Sequence, residues 1–99
     1  MSYLFHSEAA AELDEAFRYY ENDYPGRGHR FLEKIEECAL RICQYPNLGT
    51  EELPNIRRMV VDRFPYKLLY MIHRNEIVIL AVAHCRRMPN YWMDRAQSS

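Results

Sequence analysis

Apolar residues in the first half of the chain recur at the spacing of a helix. Intervals of three and four residues place one apolar set on a single helical face: Leu13, Ala16, Phe17, Tyr20 and Tyr24. Ser7 stands before this set and can cap the helix through its hydroxyl, while Glu8 and Glu12 suit the positive end of the helix dipole. Pro25-Gly26 ends this helix. A short strand-like run over residues 3–6 precedes it.

The same spacing predicts a second helix over residues 28–44, where it is carried by Phe31, Ile35, Cys38, Ala39 and Ile42. Pro46 stops this helix. A polar loop containing Gly49 and Pro54 follows, and it is too short to be a domain linker. The first half of the chain is therefore predicted to be a helical hairpin.

From Ile56 onward the pattern changes to that of strands. Three strands are predicted, over residues 56–63, 66–73 and 76–86, and the last two are joined by a turn at Arg74-Asn75. The third strand is apolar on both faces, which suits a central strand covered by the hairpin on one side. Helices followed by strands predict an α+β fold. Its parts are a short N-terminal strand, the two-helix hairpin, an antiparallel β-meander and a short C-terminal helical turn.

Composition limits the class of protein. Ninety-nine residues suit one domain, residues 1–99, and 48% hydrophobic with 27% charged residues are ordinary globular values. The longest apolar run, residues 77–83, is too short to span a membrane. The acidic first 20 residues do not resemble a secretory signal. We therefore expect a cytoplasmic protein without a membrane partner.

The cysteines do not form a recognisable framework. Cys38, Cys43 and Cys85 are odd in number, and the first two stand five positions apart on a predicted helix. This spacing gives neither a disulfide framework nor a metal knuckle. We interpret them as buried free thiols, and we expect no metal and no cofactor.

Charge is distributed unevenly along the chain. The formal net charge is -1, but residues 1–56 carry five basic and eleven acidic side chains, whereas residues 57–99 carry eight basic and three acidic ones. A basic surface on the C-terminal half would suit phosphates or an acidic partner. The alternative is a solvated sheet edge, where charges discourage aggregation.

Five short segments along nearly the whole chain share a pattern with one known superfamily. They are A-x-x-E-L-x-E-A-x-x-Y-Y-E (9–21), Y-P-G-x-G-x-x-F (24–31), I-R-R (56–58), R-F-P-Y-K-L-L-Y (63–70) and V-A-H-x-R-R-x-P-x-Y-W (82–92). With these segments the chain resembles the toxins of the RelE/ParE superfamily. The resemblance implies growth inhibition, plasmid stabilisation and a cognate antitoxin that wraps and silences the toxin in a hetero-oligomeric complex.

This superfamily contains two activities on one fold. The ParE-like branch poisons DNA gyrase by binding, whereas the RelE-like branch is an mRNA interferase that cleaves messages in the ribosome. Cleavage requires proton transfer and cations at the attacked phosphate. The catalytic candidates are His84, at the end of the third strand, with Arg87 and Tyr91, which resemble an arginine and a tyrosine of the RNA-cleaving branch. Val60 stands where that branch has a lysine, and a pI near 6.4 suits ribosome binding poorly.

We therefore favour gyrase inhibition, with ribosome-dependent cleavage as the alternative. A third hypothesis is a non-toxic relic that binds its antitoxin and represses their operon. The candidate target-binding residues are Arg58, Arg63, Lys67, Arg86, Arg87 and Trp92.

Each candidate also has a structural interpretation. His84 can cap the end of the sheet, Trp92 can anchor the C-terminal segment on the core, and either Arg86 or Arg87 can pair with a carboxylate of the first helix.

Three tyrosines of the first helix are candidates for the antitoxin surface. Tyr19, Tyr20 and Tyr24 lie close together, and a small hairpin has only one face against the sheet. An amphipathic helix of the antitoxin would pack on the exposed aromatics, and an acidic extended stretch would neutralise the arginines.

Overall fold

The computed structural model describes residues 1–97. Along the chain it contains β1 (Tyr3–Phe5), α1 (Ser7–Asp23), α2 (Arg27–Gln44), β2 (Thr50–Leu53), β3 (Ile56–Val60), β4 (Tyr66–His73), β5 (Glu76–His84) and a final 3-10 helix (Met93–Ala96). The strands form one sheet in the order β1-β5-β4-β3-β2. The predicted α+β architecture is confirmed, including the helical hairpin, the antiparallel meander and the C-terminal helical turn.

The sheet departs from the prediction at both of its edges. It is mixed rather than purely antiparallel, because β1 pairs in parallel with β5, Tyr3 lying opposite Ile77. The predicted polar loop contains the strand β2, which pairs antiparallel with β3 as far as Thr50 opposite Arg58. Such a short edge strand buries little, so its sequence carries no apolar alternation.

Polar contacts stabilise the start of α1 and the connection between the two helices. The cap of α1 is His6 rather than Ser7: the His6 Nδ1 accepts the Glu8 N–H at 3.1 Å, and Ser7 is the first helical residue. Between the helices, the Glu21 carboxylate accepts the N–H groups of Gly26 and Gly28 at 3.0–3.1 Å. The Gly26 bond is the main reason that the pKa of Glu21 lies below its usual value.

Two apolar clusters lie on opposite faces of the sheet. The hairpin covers one face, where the rings of Tyr20, Phe31, Phe64 and Tyr66 pack with centroids 5.0–6.2 Å apart. Trp92 covers the other face with the C-terminal segment. Every residue from 77 to 83 is consequently buried, which explains why β5 is apolar on both faces.

The cysteines differ from one another in burial. Cys38 is buried, and burial raises the pKa of its thiol to about 11. Cys43 is partly exposed and Cys85 is exposed, so the prediction of buried thiols is correct only for Cys38. Within residues 1–97, no helix has the length and apolarity to cross a membrane.

Candidate functional site

The carboxylate of Glu12, on α1, binds side chains of the C-terminal segment. The Glu12 Oε1 accepts a hydrogen bond from Arg95 Nη1 at 2.8 Å, and the Glu12 Oε2 accepts from Arg95 Nη2 at 3.1 Å and from the Tyr91 hydroxyl at 2.7 Å. Arg87 Nη1 lies 3.4 Å from the same Oε2. The side chains of Glu12 and Arg95 are only 12% and 9% exposed. We call these four residues the Glu12 cluster, and such a shielded, bidentate pair is stronger than a surface ion pair.

The Glu12 cluster also completes the outer edge of β5. The pairing of β1 with β5 ends at Phe5 opposite Ile79, and a register shift near Leu80 follows in the pairing with β4. Beyond that point, Glu12 Oε1 accepts the Val82 N–H at 3.0 Å, and Arg95 Nη1 donates to the Leu80 carbonyl at 3.0 Å. An ion pair of side chains thus replaces the hydrogen bonds that a longer neighbouring strand would make.

Two of the three nuclease candidates belong to this cluster. Burial, followed by the hydrogen bond to Glu12, raises the pKa of Tyr91 well above its usual range, so its phenol stays protonated near neutral pH. The Arg87 guanidinium lies over the Tyr91 ring, 3.8 Å from its centroid. Arg87 is thus the arginine that pairs with a carboxylate of α1.

His84 has local partners at the end of β5. Its Nδ1 accepts the Arg86 N–H at 3.1 Å, and its ring meets the Tyr66 ring edge-on with centroids 5.2 Å apart. This geometry matches the capping role considered above, although His84 accepts an N–H rather than bonding a carbonyl. His84 and Arg87 do share a groove of about 230 Å³, but Glu12 and Glu15 line it as well.

The predicted target-binding residues fall into different environments. Arg58 and Lys67, on neighbouring strands, both contact Glu52, at 2.7 and 3.6 Å. The hydrogen bond from Arg58 is the main reason that the pKa of Glu52 is lowered. Glu52 is not among the predicted site residues, because it lies on β2, where the sequence pattern predicts a loop.

Arg63 and Arg86 are exposed at one end of the sheet. Arg63 follows β3 in a left-handed conformation, with φ of 68°, and its side chain is 73% exposed. The turn of Arg86 adjoins the connection after β3, because the Cys85 N–H donates to the Pro65 carbonyl at 2.8 Å. Trp92 is only 2% exposed. Its burial contradicts its assignment as a target-binding residue and supports the anchoring role.

Tyr19 and Tyr20 of α1 and Tyr24, which follows its last residue, do not share one surface. Tyr19 and Tyr24 are exposed, whereas Tyr20 is 5% exposed and packs within the aromatic core. Tyr20 follows the buried Ala16 by four positions, which points it inward, and its neighbour Tyr19 points outward. The assignment of Tyr20 to the antitoxin surface is therefore wrong, while Tyr19 and Tyr24 remain candidates.

A helical hairpin on a five-stranded sheet, closed by a C-terminal segment bound to α1, defines a protein of the RelE/ParE type. A family model described as "ParE toxin of type II toxin-antitoxin system, parDE" matches residues 3–89. The chain belongs to this ParE toxin family. Among solved structures it is similar to a chain of the "Chromosomal ParDE TA system from P. aeruginosa". That likeness has 26% identity and a TM-score of 0.74, and it covers 85% of this chain and 95% of the other. No curated protein sequence matches significantly.

Proposed function

We propose that this chain is a toxin that inhibits DNA gyrase by binding and is neutralised by a cognate antitoxin. The ParE family assignment supports this proposal, because the sequence resembles the branch of the superfamily that acts on gyrase. The observation that carries it is the Glu12 cluster. That cluster occupies two of the three groups on which RNA cleavage would depend, Arg87 and Tyr91.

RNA cleavage would require free cations and a proton donor or acceptor near a phosphate. Here the Tyr91 hydroxyl donates to a carboxylate, and Arg87 is drawn to the same carboxylate. Glu12 and Glu15 line the groove beside His84, so a phosphate there would meet negative charge. Arg58 and Lys67 both contact Glu52, which neutralises part of their charge. Binding without catalysis is therefore the better-supported activity.

The end of the sheet that carries Arg63 and Arg86 is the proposed gyrase contact. Both arginines are exposed, and the bond from Cys85 to Pro65 holds their two turns side by side. Exposed guanidinium groups suit acidic side chains of a protein target, and their charge also raises the rate of encounter.

Antitoxin binding is proposed on the exposed aromatics of α1. Tyr19 and Tyr24 both present large exposed apolar surface, which an amphipathic helix would cover. An interface of standard size buries roughly 1,200–2,000 Å². On so small a protein, an antitoxin interface of this size would reach neighbouring functional surfaces. Antitoxin binding alone would then neutralise the toxin.

The test compares the chain expressed alone with the chain expressed beside its neighbouring small open reading frame. We expect growth arrest without the neighbour, rescue with it, and inhibition of DNA supercoiling by the purified chain. Arg63→Glu with Arg86→Glu should weaken inhibition by more than about tenfold, because both cations are reversed. Arg63→Glu alone is compared with Arg74→Glu, which makes the same single charge reversal in the β4–β5 turn and is the matched control.

Three results would count against the proposal. Cleavage of ribosome-bound messages with supercoiling untouched would indicate the RelE-like activity. Growth unaffected by a folded, abundant chain would indicate a relic. Equal loss of inhibition in the Arg74→Glu control would remove the assignment of the contact to Arg63 and Arg86.

A further inference from the structure

An aromatic groove runs along α1 beside the start of β4 and the end of β5. Two cavities form it, of about 460 and 230 Å³, and Tyr19, Tyr66 and His84 line both of them. Tyr19 lies on α1, Tyr66 is the first residue of β4, and His84 is the last residue of β5. We call this the Tyr66 groove.

The side chains that line this groove carry more negative than positive charge. Glu12, Glu15 and Asp23 supply carboxylates, whereas Arg27 and Arg87 supply guanidinium groups. Both arginines already have carboxylate partners, because Arg27 Nη1 lies 2.7 Å from Asp23 and Arg87 Nη1 lies 3.4 Å from Glu12. Glu15 is exposed and has no ion-pair partner among residues 1–97. The groove therefore contains one carboxylate that no cation of the described chain neutralises.

The Tyr66 hydroxyl is close enough to these carboxylates to be affected by their charge. Burial is the main reason that the pKa of Tyr66 is raised, and Glu15 and Glu12 raise it further. Within the part of the chain that the structure describes, this hydroxyl makes no hydrogen bond. His84 adds no positive charge, because its Nδ1 accepts the Arg86 N–H at 3.1 Å, as in a neutral ring.

Aromatic rings beside a carboxylate suit a guanidinium group. The face of an aromatic ring attracts a cation, and Arg is favoured over Lys because its planar group also stacks on the ring. A phosphate is disfavoured in this groove, because Glu15 would repel it. An apolar side chain is disfavoured as well, because it would cover Glu15 without supplying a counter-charge. The rings and the charge together select an arginine side chain.

We infer that the Tyr66 groove receives an arginine side chain of the antitoxin helix, whose guanidinium contacts Tyr19 and Tyr66 and pairs with Glu15. This inference rests on the proposed function, since it requires an antitoxin. Position favours that helix as the source of the arginine, because the exposed Tyr19 ring both lines the groove and belongs to the proposed antitoxin surface. A single basic side chain on a helix that is otherwise apolar on this face would also fix where the helix lies.

The first test compares antitoxin binding by two carboxylate variants. Glu15 and Glu33 are both exposed helical residues without an ion-pair partner in residues 1–97, but only Glu15 lines the Tyr66 groove. We expect Glu15→Gln to weaken binding to the product of the adjacent open reading frame about tenfold, and Glu33→Gln to stay within about twofold of the unaltered chain. The measurement is the Kd of each purified variant, and circular dichroism checks that each variant is folded.

A double-mutant cycle then identifies the arginine. Each arginine of the antitoxin is changed to glutamine in turn, and its effect on Kd is measured with the unaltered chain and with Glu15→Gln. For one arginine the effect should be smaller with Glu15→Gln by more than about fivefold, because the pair is already broken.

The aromatic wall of the groove has its own pair of variants. Tyr19→Leu keeps apolar bulk but removes the ring face, so it should weaken binding about fivefold. Tyr19→Phe keeps the ring face and should bind within about twofold of the unaltered chain.

The outcomes separate this inference from the proposed function. A complex in which no antitoxin arginine depends on Glu15 overturns the assignment of the groove and leaves the antitoxin proposal standing. Normal antitoxin binding by Glu15→Gln together with weaker inhibition of supercoiling also overturns it, because the groove would then bind the target. A folded, unaltered chain that forms no complex removes both the inference and the proposed antitoxin.

Discussion

Glu12 has the largest structural role of any single carboxylate described above. It bonds Arg95 twice, the Tyr91 hydroxyl and the Val82 N–H, and its removal leaves a shielded guanidinium without its main counter-charge. Glu12→Ala should therefore lower the free energy of unfolding by about 3 kcal/mol, measured by urea denaturation. Glu15→Ala, an exposed change on the same helix, should stay within about 0.5 kcal/mol. Equal effects of the two changes would contradict this role.

Glu52 should make part of the stability depend on pH. Its pKa in the folded chain lies below the usual 4.5, chiefly because Arg58 donates to it and Lys67 lies nearby. A lowered folded pKa contributes stability that is complete above pH 4.5 and is lost as the pH falls through the folded pKa. The stability difference between the unaltered chain and Glu52→Gln should therefore be full at pH 7 and shrink below about pH 4.5.

Urea denaturation across that range measures this difference. The exposed neighbour change Glu51→Gln corrects for general acid effects. If the difference between the unaltered chain and Glu52→Gln were constant from pH 7 to pH 3, the carboxylate would not be acting through its charge.

At the scale of elements, the junction between the helices depends on a close approach. An added Cβ at Gly28 would lie 2.7 Å from the Phe17 carbonyl oxygen and 2.9 Å from the Glu21 side chain. Gly28→Ala should therefore destabilise the chain by about 1–3 kcal/mol, despite the better helix propensity of alanine. Thermal unfolding measures this, and Arg30→Ala on the exposed side of α2 is the control. If the Gly28→Ala chain were more stable than the unaltered chain, the two helices would be able to move apart without loss of stability, and the close approach would not matter.

The elements themselves were largely predictable from local patterns. Helical spacing gave both helices to within a few residues, and β4 matched its predicted bounds. The parallel pairing of β1 was not predictable, because its partner Ile77 is more than 70 positions away. β2 was missed because an edge strand with little burial needs no alternation of apolar residues.

At the scale of the whole molecule, the candidate sites were predicted less well than the fold. The sequence placed His84, Arg87 and Tyr91 near one another, but it gave no sign that Glu12 would bond two of them. Tyr20 was assigned to the surface with its neighbours, although its spacing from Ala16 already pointed inward. Contacts between segments that are distant in sequence decide which side chains are free to bind a partner. The local spacing of residues does not predict these contacts.

The pairing of the first strand with the last has a consequence for how the chain is made. β1 is synthesised well before β5, which is its neighbour in the sheet of residues 1–97. Glu12 is likewise synthesised long before Arg95, its partner in the ion pair. Contacts of such long sequence separation slow folding. The helical hairpin can form early, but the sheet and the Glu12–Arg95 ion pair form only after Arg95 has been synthesised, so a message interrupted before that codon yields no completed fold.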